Sequence, residues 1–222
     1  MIEAVIFDVD GTLIDSVDLH AQAWCDALAD FGHPVAFDAV RVQIGKGGDQ
    51  LMPVFLPPEE LESRGKALEQ HRARLFEARY LDRIRPFGQV RELFERLRAD
   101  GVRIVLGSSA AGDELEAYKR IAGIADLLDA ETSSDDAERS KPCPDIFQAA
   151  RARLPDVPVE RIVVVGDTPY DAQAAVAAGL APIGVLSGGF AEADLRAAGC
   201  VAIYRDPADL LARYDAFVRG AA

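Results

Sequence analysis

Five short runs in this chain are apolar almost without interruption: Ala4-Val5-Ile6-Phe7, Arg103-Ile104-Val105-Leu106, Arg161-Ile162-Val163-Val164-Val165, Ala181-Pro182-Ile183-Gly184-Val185 and Val201-Ala202-Ile203-Tyr204. A strand that buries only one face alternates apolar and polar residues. A strand buried on both faces sends successive side chains into two separate cores and reads as continuously apolar, which is the condition of a parallel sheet covered by helices on either side. Helical patterns lie between these runs. Val90, Leu93, Phe94 and Leu97 make one apolar stripe ending before Gly101, and residues 145–154, 171–178, 191–198 and 206–218 favour helix by propensity or spacing. Strand and helix alternating from about residue 85 predict an α/β fold with a doubly wound, Rossmann-like parallel sheet core.

Residues 16–84 break that rhythm. They hold no convincing strand, and two long segments favour helix: one from Val17 ending at Gly32, the other opening on Pro57-Pro58-Glu59-Glu60. The economical partition of the 222 residues is an α/β core from residues 1–15 and 85–222, interrupted by an inserted α-helical domain over 16–84. No internal repeat, low-complexity tract or Gly/Ser linker stands out.

Half the residues are hydrophobic and 27% charged, enough for a sizeable core and unlike a disordered, collagenous or disulfide-rich chain. The net charge of −13 would repel nucleic acid and anionic lipid, so neither is expected as a partner. Cys25, Cys143 and Cys200 form no Cys-x-x-Cys pair and are expected to be buried, reduced thiols. The first residues carry Glu3 and Asp8 where a secretory signal would be basic and then apolar. The longest uncharged apolar stretch, residues 174–186, is 13 residues long and interrupted by Gly179, Pro182 and Gly184, too short to span a bilayer. A cytoplasmic location follows as the expectation.

The strongest chemical signal is Asp8-Val9-Asp10-Gly11-Thr12-Leu13, directly after the first strand. Open α/β sheets bind ligands at the carboxyl ends of their strands, and Gly11 allows the chain to turn sharply away there. An Asp-x-Asp alone could equally be a turn or a helix cap. Residues 163–171 repeat the design, with a buried strand, Gly166, Asp167 at the strand end and Asp171 where a helix begins. Asp171 alone reads as an acid favoured by the helix dipole. Asp167 is different, because a parallel sheet brings its strand end beside Asp8 and Asp10. Carboxylates gathered there would repel one another without a cation, and a hard, oxygen-seeking ion such as Mg²⁺ suits an incomplete cage that keeps waters and a phosphate oxygen. Ser108 and Ser109 follow a strand and precede a helix, where hydroxyl and free N–H groups can meet an anion. Lys141, flanked by an acidic stretch and by Pro142, has no basic neighbours and reads as one placed cation rather than part of a basic patch.

Asp8-x-Asp10-Gly-Thr, the strand-terminal Ser108, Lys141-Pro142 and Gly166-Asp167-x-x-x-Asp171 resemble, in order and spacing, the four motifs of the haloacid dehalogenase-like hydrolases. The helical insertion is similar to that family's C1 cap, in the phosphoglycolate phosphatase and β-phosphoglucomutase group. The resemblance implies Asp8 as the nucleophile that becomes an aspartyl-phosphate, and Asp10 as the group that protonates the leaving alcohol and then activates water. It implies Mg²⁺ held by Asp8, Asp167, Asp171 and the Asp10 carbonyl, and a phosphoryl group bound by Ser108, Ser109 and Lys141. The partner would be a small phosphorylated metabolite, and the chain a monomer, with a homodimer as the alternative.

Cap residues should choose the leaving group. His20, Trp24, Lys46 and the Gly45-x-Gly47-Gly48 loop are the candidates, His20 and Lys46 as substrate contacts, although His20 and Trp24 at i and i+4 fit cap-to-core packing equally well. A phosphatase is the leading expectation and a sugar-phosphate mutase using the same nucleophile the alternative. In mutase-like members an acidic residue commonly precedes the last-motif Asp, whereas this chain has Gly166. A phospho-accepting receiver domain fits less well, because its paired acids are adjacent and it has no counterpart of the late Gly-Asp-x-x-x-Asp. The complete metal-binding set argues against dehalogenation.

Overall fold

The computed structural model describes residues 1–220. The chain runs β1 (Ala4–Phe7), β2 (Ile14–Asp15), α1 (Val17–Asp30), α2 (Phe37–Arg41), α3 (Gly48–Leu51), α4 (Pro58–Arg79), β3 (Arg85–Pro86), α5 (Val90–Ala99), β4 (Arg103–Gly107), α6 (Gly112–Ala122) and β5 (Ala130–Thr132). It continues with α7 (Asp145–Ala152), β6 (Ile162–Gly166), α8 (Pro169–Ala177), β7 (Ala181–Val185), α9 (Glu192–Ala197), β8 (Ala202–Tyr204), α10 (Pro207–Ala212) and α11 (Tyr214–Gly220). Six strands form one parallel sheet in the order β5-β4-β1-β6-β7-β8. The chain builds outward from β1 to one edge, then crosses back over to build the other. The central strand therefore sits where the winding direction reverses, the place at which such sheets open a crevice beyond the strand ends.

The apolar runs divide as a two-faced sheet requires. Val5 and Phe7 of β1 join Ile104, Leu106, Val163 and Val165 in a core covered by α5, α6, α10 and α11. Ala4 and Ile6 join Val105, Ile162 and Val164 in a second core covered by α7 and α8. Burial on both faces, at roughly 25 cal/mol per Å² of apolar surface, is what holds these short strands flat against one another. The registers pair Phe7 with both Leu106 and Val165. The next residue of each strand line, Asp8, Ser108 after Gly107 and Asp167 after Gly166, emerges at the same edge.

Helices α1 to α4 enclose a third core of their own, with Trp24, Leu28, Val40, Leu51 and Leu68 among its buried residues. The two connections to the sheet run side by side as the antiparallel pair β2–β3, Ile14 opposite Pro86 and Asp15 opposite Arg85.

Three details differ from expectation. Strand β5 lies in the acidic run after residue 126, where polarity masks it; Thr132 is its buried residue, and its hydroxyl donates to the Leu106 carbonyl. The terminal helix expected over 206–218 is two helices, because Arg213 leaves helical geometry at φ −110°, ψ 30°. Helix α8 begins before Asp171, with Pro169 in its first turn and Thr168 as its cap. All three cysteines are free; Cys25 and Cys200 are buried, while Cys143 is only partly so. No helix among the described residues is long and apolar enough to cross a membrane.

Candidate active site

Asp8, Asp167 and Asp171 converge at the carboxyl edge of the sheet, each offering a carboxylate oxygen within 4.8 Å of the others. All three are buried, as is Lys141, at 1% exposure the most enclosed cation beside them. Lys141 Nζ donates to Asp8 Oδ1 at 2.5 Å and lies 2.8 Å from Asp171 Oδ1. Thr12, fully buried in the turn after β1, donates its hydroxyl to Asp167 Oδ1 at 2.9 Å. Asp171 also serves its own helix: its backbone N–H donates to Thr168 Oγ1, and its Oδ2 accepts from the Thr168 backbone and hydroxyl. Asp171 thus caps its helix through Oδ2 while Oδ1 faces Lys141.

One lysine does not balance three buried carboxyls. Burial, opposed by Lys141 and reinforced by Asp171, raises the Asp8 carboxyl to about 7. Burial, then the charges of Asp171 and Asp8, pushes Asp167 well above the usual carboxylate range. Burial works against the ammonium of Lys141, but Asp171 and Asp8 raise its pKa on balance. Asp167 Oδ2 is buried with no hydrogen-bond partner, and Asp171 Oδ1 has only the Lys141 ammonium beside it. Orphaned buried acceptors are costly unless something absent from the protein satisfies them. A divalent cation is the ligand this donor set fits, being all oxygen, anionic and incomplete as a shell.

The backbone keeps that position open. Gly11 adopts φ +76°, and a side chain there would collide with Asp167 Oδ2 and come within 2.7 Å of Val17. A Cβ at Gly188 would overlap the same oxygen. Ser187 ties the two glycine segments together by donating to the Gly11 carbonyl at 2.6 Å.

Asp10 turns away from this cluster. Its Oδ1 accepts from Ser16 Oγ at 2.5 Å and from His20 Nε2 at 2.9 Å. Arg72 donates to His20 Nδ1 at 3.2 Å; arginine cannot accept, so the ring proton is on Nε2, facing Asp10. Tyr118 accepts from His20 at 2.9 Å and donates to Glu114, while Phe76 stacks on the imidazole at 4.0 Å between centroids. Burial would raise the Asp10 carboxyl, but His20 first, by charge and by hydrogen bond, then Ser16 and the nearby Arg72 hold it below its usual value.

Ser108 is fully buried; its Oγ accepts from the Ala110 N–H, and its O–H has no acceptor among the described residues. Ser108 and the half-buried Ser109 line a chamber of about 490 Å³ between the sheet edge and helices α1 to α4, together with Asp8, Asp10, His20, Trp24 and Lys46. Lys46 donates to Gln43 at 2.6 Å and lies 4.6 Å above the Tyr170 ring. The helical segment is fastened over the chamber. The Gly47 N–H donates to Ser140 Oγ, Asp49 accepts from the Ser140 hydroxyl and N–H, and Tyr170 donates to the Val42 carbonyl at 2.6 Å. Arg41 donates to the Gly188 carbonyl at 3.1 Å.

The expected residues of the sheet edge are thus brought together. Of the cap candidates, His20, Trp24 and Lys46 all line the chamber, but both ring nitrogens of His20 are engaged by Asp10, Tyr118 and Arg72. Ser16, Arg72, Glu114, Tyr118 and Gly188 escaped the sequence reading. Arg72 did leave a signal: it falls on the buried stripe of α4, between Leu68 and Leu75-Phe76, where an unpaired charge has no reason to be.

A family model described as haloacid dehalogenase-like hydrolase matches residues 2–179. The chain is 33% identical over 205 residues to the protein SUPPRESSOR OF QUENCHING 1, chloroplastic, of Arabidopsis thaliana, covering 89% of this chain but only 19% of that much longer protein. It is 32% identical over 192 residues to the phosphoglycolate phosphatase of Yersinia pseudotuberculosis, covering 84% of this chain and 82% of the relative. The crystal structure of a hydrolase from Pseudomonas syringae superposes with a TM-score of 0.86 at 29% identity, over 96% of this chain and 97% of the other.

Proposed function

Because the chain belongs to the haloacid dehalogenase-like hydrolase family and is a phosphatase within it, we propose that it hydrolyses a small organic phosphate monoester, with Mg²⁺ and through an aspartyl-phosphate on Asp8. The observation that carries this reading is the buried convergence of Asp8, Lys141, Asp167 and Asp171, three carboxyls on one lysine, with Asp167 Oδ2 left unsatisfied. Asp8, Asp167, Asp171 and the Asp10 carbonyl would hold the ion. When bound, it would offset carboxylate charge and polarise the phosphoryl oxygens.

The protein's own groups do the rest. An ionised Asp8 oxygen attacks phosphorus as the ester P–O bond breaks, giving the aspartyl-phosphate and the alkoxide of the alcohol. Lys141, Ser108 and Ser109 receive the phosphoryl oxygens and stabilise the charge that develops on them. Asp10 supplies the leaving oxygen with a proton; the phosphate dianion entering beside it raises the pKa that Ser16 and His20 hold down, so the proton is acquired as substrate arrives. The Asp10 carboxylate then removes a proton from water, whose oxygen attacks phosphorus and frees Asp8 with inorganic phosphate. Helices α1 to α4, fastened to Ser140 and Tyr170, act as a cap that encloses the alcohol.

Gly166 favours hydrolysis over the mutase reading. A Cβ there would meet Asp171 Cβ and Cγ at 2.5 and 2.6 Å, so an acidic side chain cannot occupy that position while Asp171 keeps its place. Phosphate release from an aryl phosphate should require Mg²⁺, and Asp8→Asn should lose essentially all of it. Full turnover in EDTA, or in Asp8→Asn, would overturn the assignment.

A further inference from the structure

We propose that Arg41, in the helical segment, is a positioning residue for the metal site: through the backbone of Gly188 it holds Asp167 in place, so that Mg²⁺ binding and the seating of Arg41 favour one another. This deepens the Mg²⁺ reading above, on which it rests, by assigning a residue that tunes the site from the other half of the molecule. Arg41 closes α2 and is half-buried. Its Nε donates to Asp18 Oδ1 on α1 at 2.7 Å, and its Nη2 reaches across to donate to the Gly188 carbonyl at 3.1 Å. No other donor to that carbonyl exists among the described residues. The guanidinium also lies against Gly189, where a Cβ would come within 2.7 Å of Nη2.

The opposite side of this loop faces the carboxylates. Gly188 is packed so closely on Asp167 that a Cβ there would overlap Oδ2, the buried oxygen with no hydrogen-bond partner. Ser187 ties the loop to Gly11, which borders the same oxygen. Residues 187–189 are therefore a single thickness of backbone between a cation of the helical segment and an oxygen offered to the ion. Contact on both sides couples the two events. With Asp167 held in an ion's shell, the surface under Gly188 is fixed and its carbonyl stays aimed at Arg41; by reciprocity, Arg41 seated on that carbonyl keeps Asp167 ready for the ion. Arg41 is absent from the chamber lining, so it touches neither the ester nor the reacting atoms. The other grip of the segment, Asp49 on Ser140, reaches the chain beside Lys141 instead and serves as a control.

The sign of the effect separates positioning from plain electrostatics. A guanidinium near three carboxyls repels a divalent cation, so by charge alone its removal would tighten Mg²⁺ binding. Loss of positioning weakens it. Isothermal titration of Mg²⁺ into the full chain, with no ester and at constant ionic strength, reads the difference. Arg41→Ala should raise the Mg²⁺ dissociation constant at least about fivefold, and Asp49→Ala, which loosens the segment without touching Gly188, should raise it less than half as far. Hydrogen exchange on the wild-type chain gives the reciprocal half: saturating Mg²⁺ should slow deuterium uptake across residues 41–49 at least about threefold. An unchanged or tighter constant in Arg41→Ala, an equal rise in Asp49→Ala, or unaltered exchange across residues 41–49 would overturn the proposal; the exchange measurement decides this even if the variant does not fold. Mg²⁺ binding and Mg²⁺-dependent phosphate release retained in that event would leave the phosphatase reading standing. A wild-type chain that binds no Mg²⁺ would remove both.

Discussion

Asp8 and Asp10 leave the same strand two residues apart and enter opposite surroundings. Asp8 is crowded by Asp171 and Asp167, with one lysine for relief, and its carboxyl is pushed up to about 7. Asp10 sits among donors, Ser16, His20 and behind them Arg72, and its carboxyl is held low. In a continuing strand the two side chains, at i and i+2, would share a face; the chain instead leaves β1 after Phe7 and turns at Gly11, and each half of the molecule completes one of them: the sheet edge completes Asp8, the helical segment completes Asp10. Paired carboxyls with environments that separate their pKa values are a means of giving one turn two chemical roles. Asp8 shares its one lysine with Asp171, whereas Asp10 keeps the donors of Ser16 and His20 on a single oxygen.

The contrast is broken most severely on the Asp10 side. Asp10→Asn keeps one oxygen for Ser16 and His20, so the chain should fold and bind Mg²⁺ as before. An amide cannot carry the proton, and kcat should fall by about 10²–10⁴ with little change in KM. Steady-state phosphate release beside a Mg²⁺ titration checks both halves; wild-type kcat in this variant would refute the proton-transfer role. The metal half is sharpened by Gly188→Ala. The added methyl displaces Asp167 Oδ2, the carboxylate oxygen with no partner, without touching Asp10. The Mg²⁺ concentration for half-maximal activity should rise about 10- to 100-fold, and kcat at saturating Mg²⁺ should recover most of its value. An unchanged Mg²⁺ requirement would mean that Asp167 does not hold the ion.

The two sides were not equally legible in the sequence. The Asp8 side is written in strand-terminal positions: once residues 4–7, 103–106 and 162–165 are read as parallel neighbours, Asp8, Ser108 and Asp167 must share an edge. The partners of Asp10 come from α1, α4 and α6, and no periodicity tells which helical residues of a separate core will face the sheet. Arg72 and Tyr118 are 62 and 108 positions from Asp10 along the chain, brought to it only by tertiary packing. Strand β5 was missed for a related reason: it is short and polar, and it is held by pairing with β4 rather than by its own propensity.

The smallest effect is expected where the two halves meet in solvent. Asp49 is exposed, yet it accepts both the hydroxyl and the N–H of Ser140, the residue before Lys141. It is the point at which the helical segment grips the chain that carries the buried cation. Hydrogen bonds at an exposed position contribute about 0.5–1.5 kcal/mol each, so Asp49→Ala should loosen this grip without unfolding either half. Lys141 keeps its own partners, Asp8 and Asp171, and chemistry in the closed state should proceed as before. The loss should therefore appear as a rise in KM of about fivefold for a phosphate monoester, with kcat within about twofold of wild type. Asp49→Asn keeps one acceptor and should recover part of the change, although it removes the same charge as the alanine variant. Equal behaviour of the two variants would make the charge of Asp49 the cause, and a collapse of kcat would show that the grip on Ser140 positions Lys141 for the reaction itself.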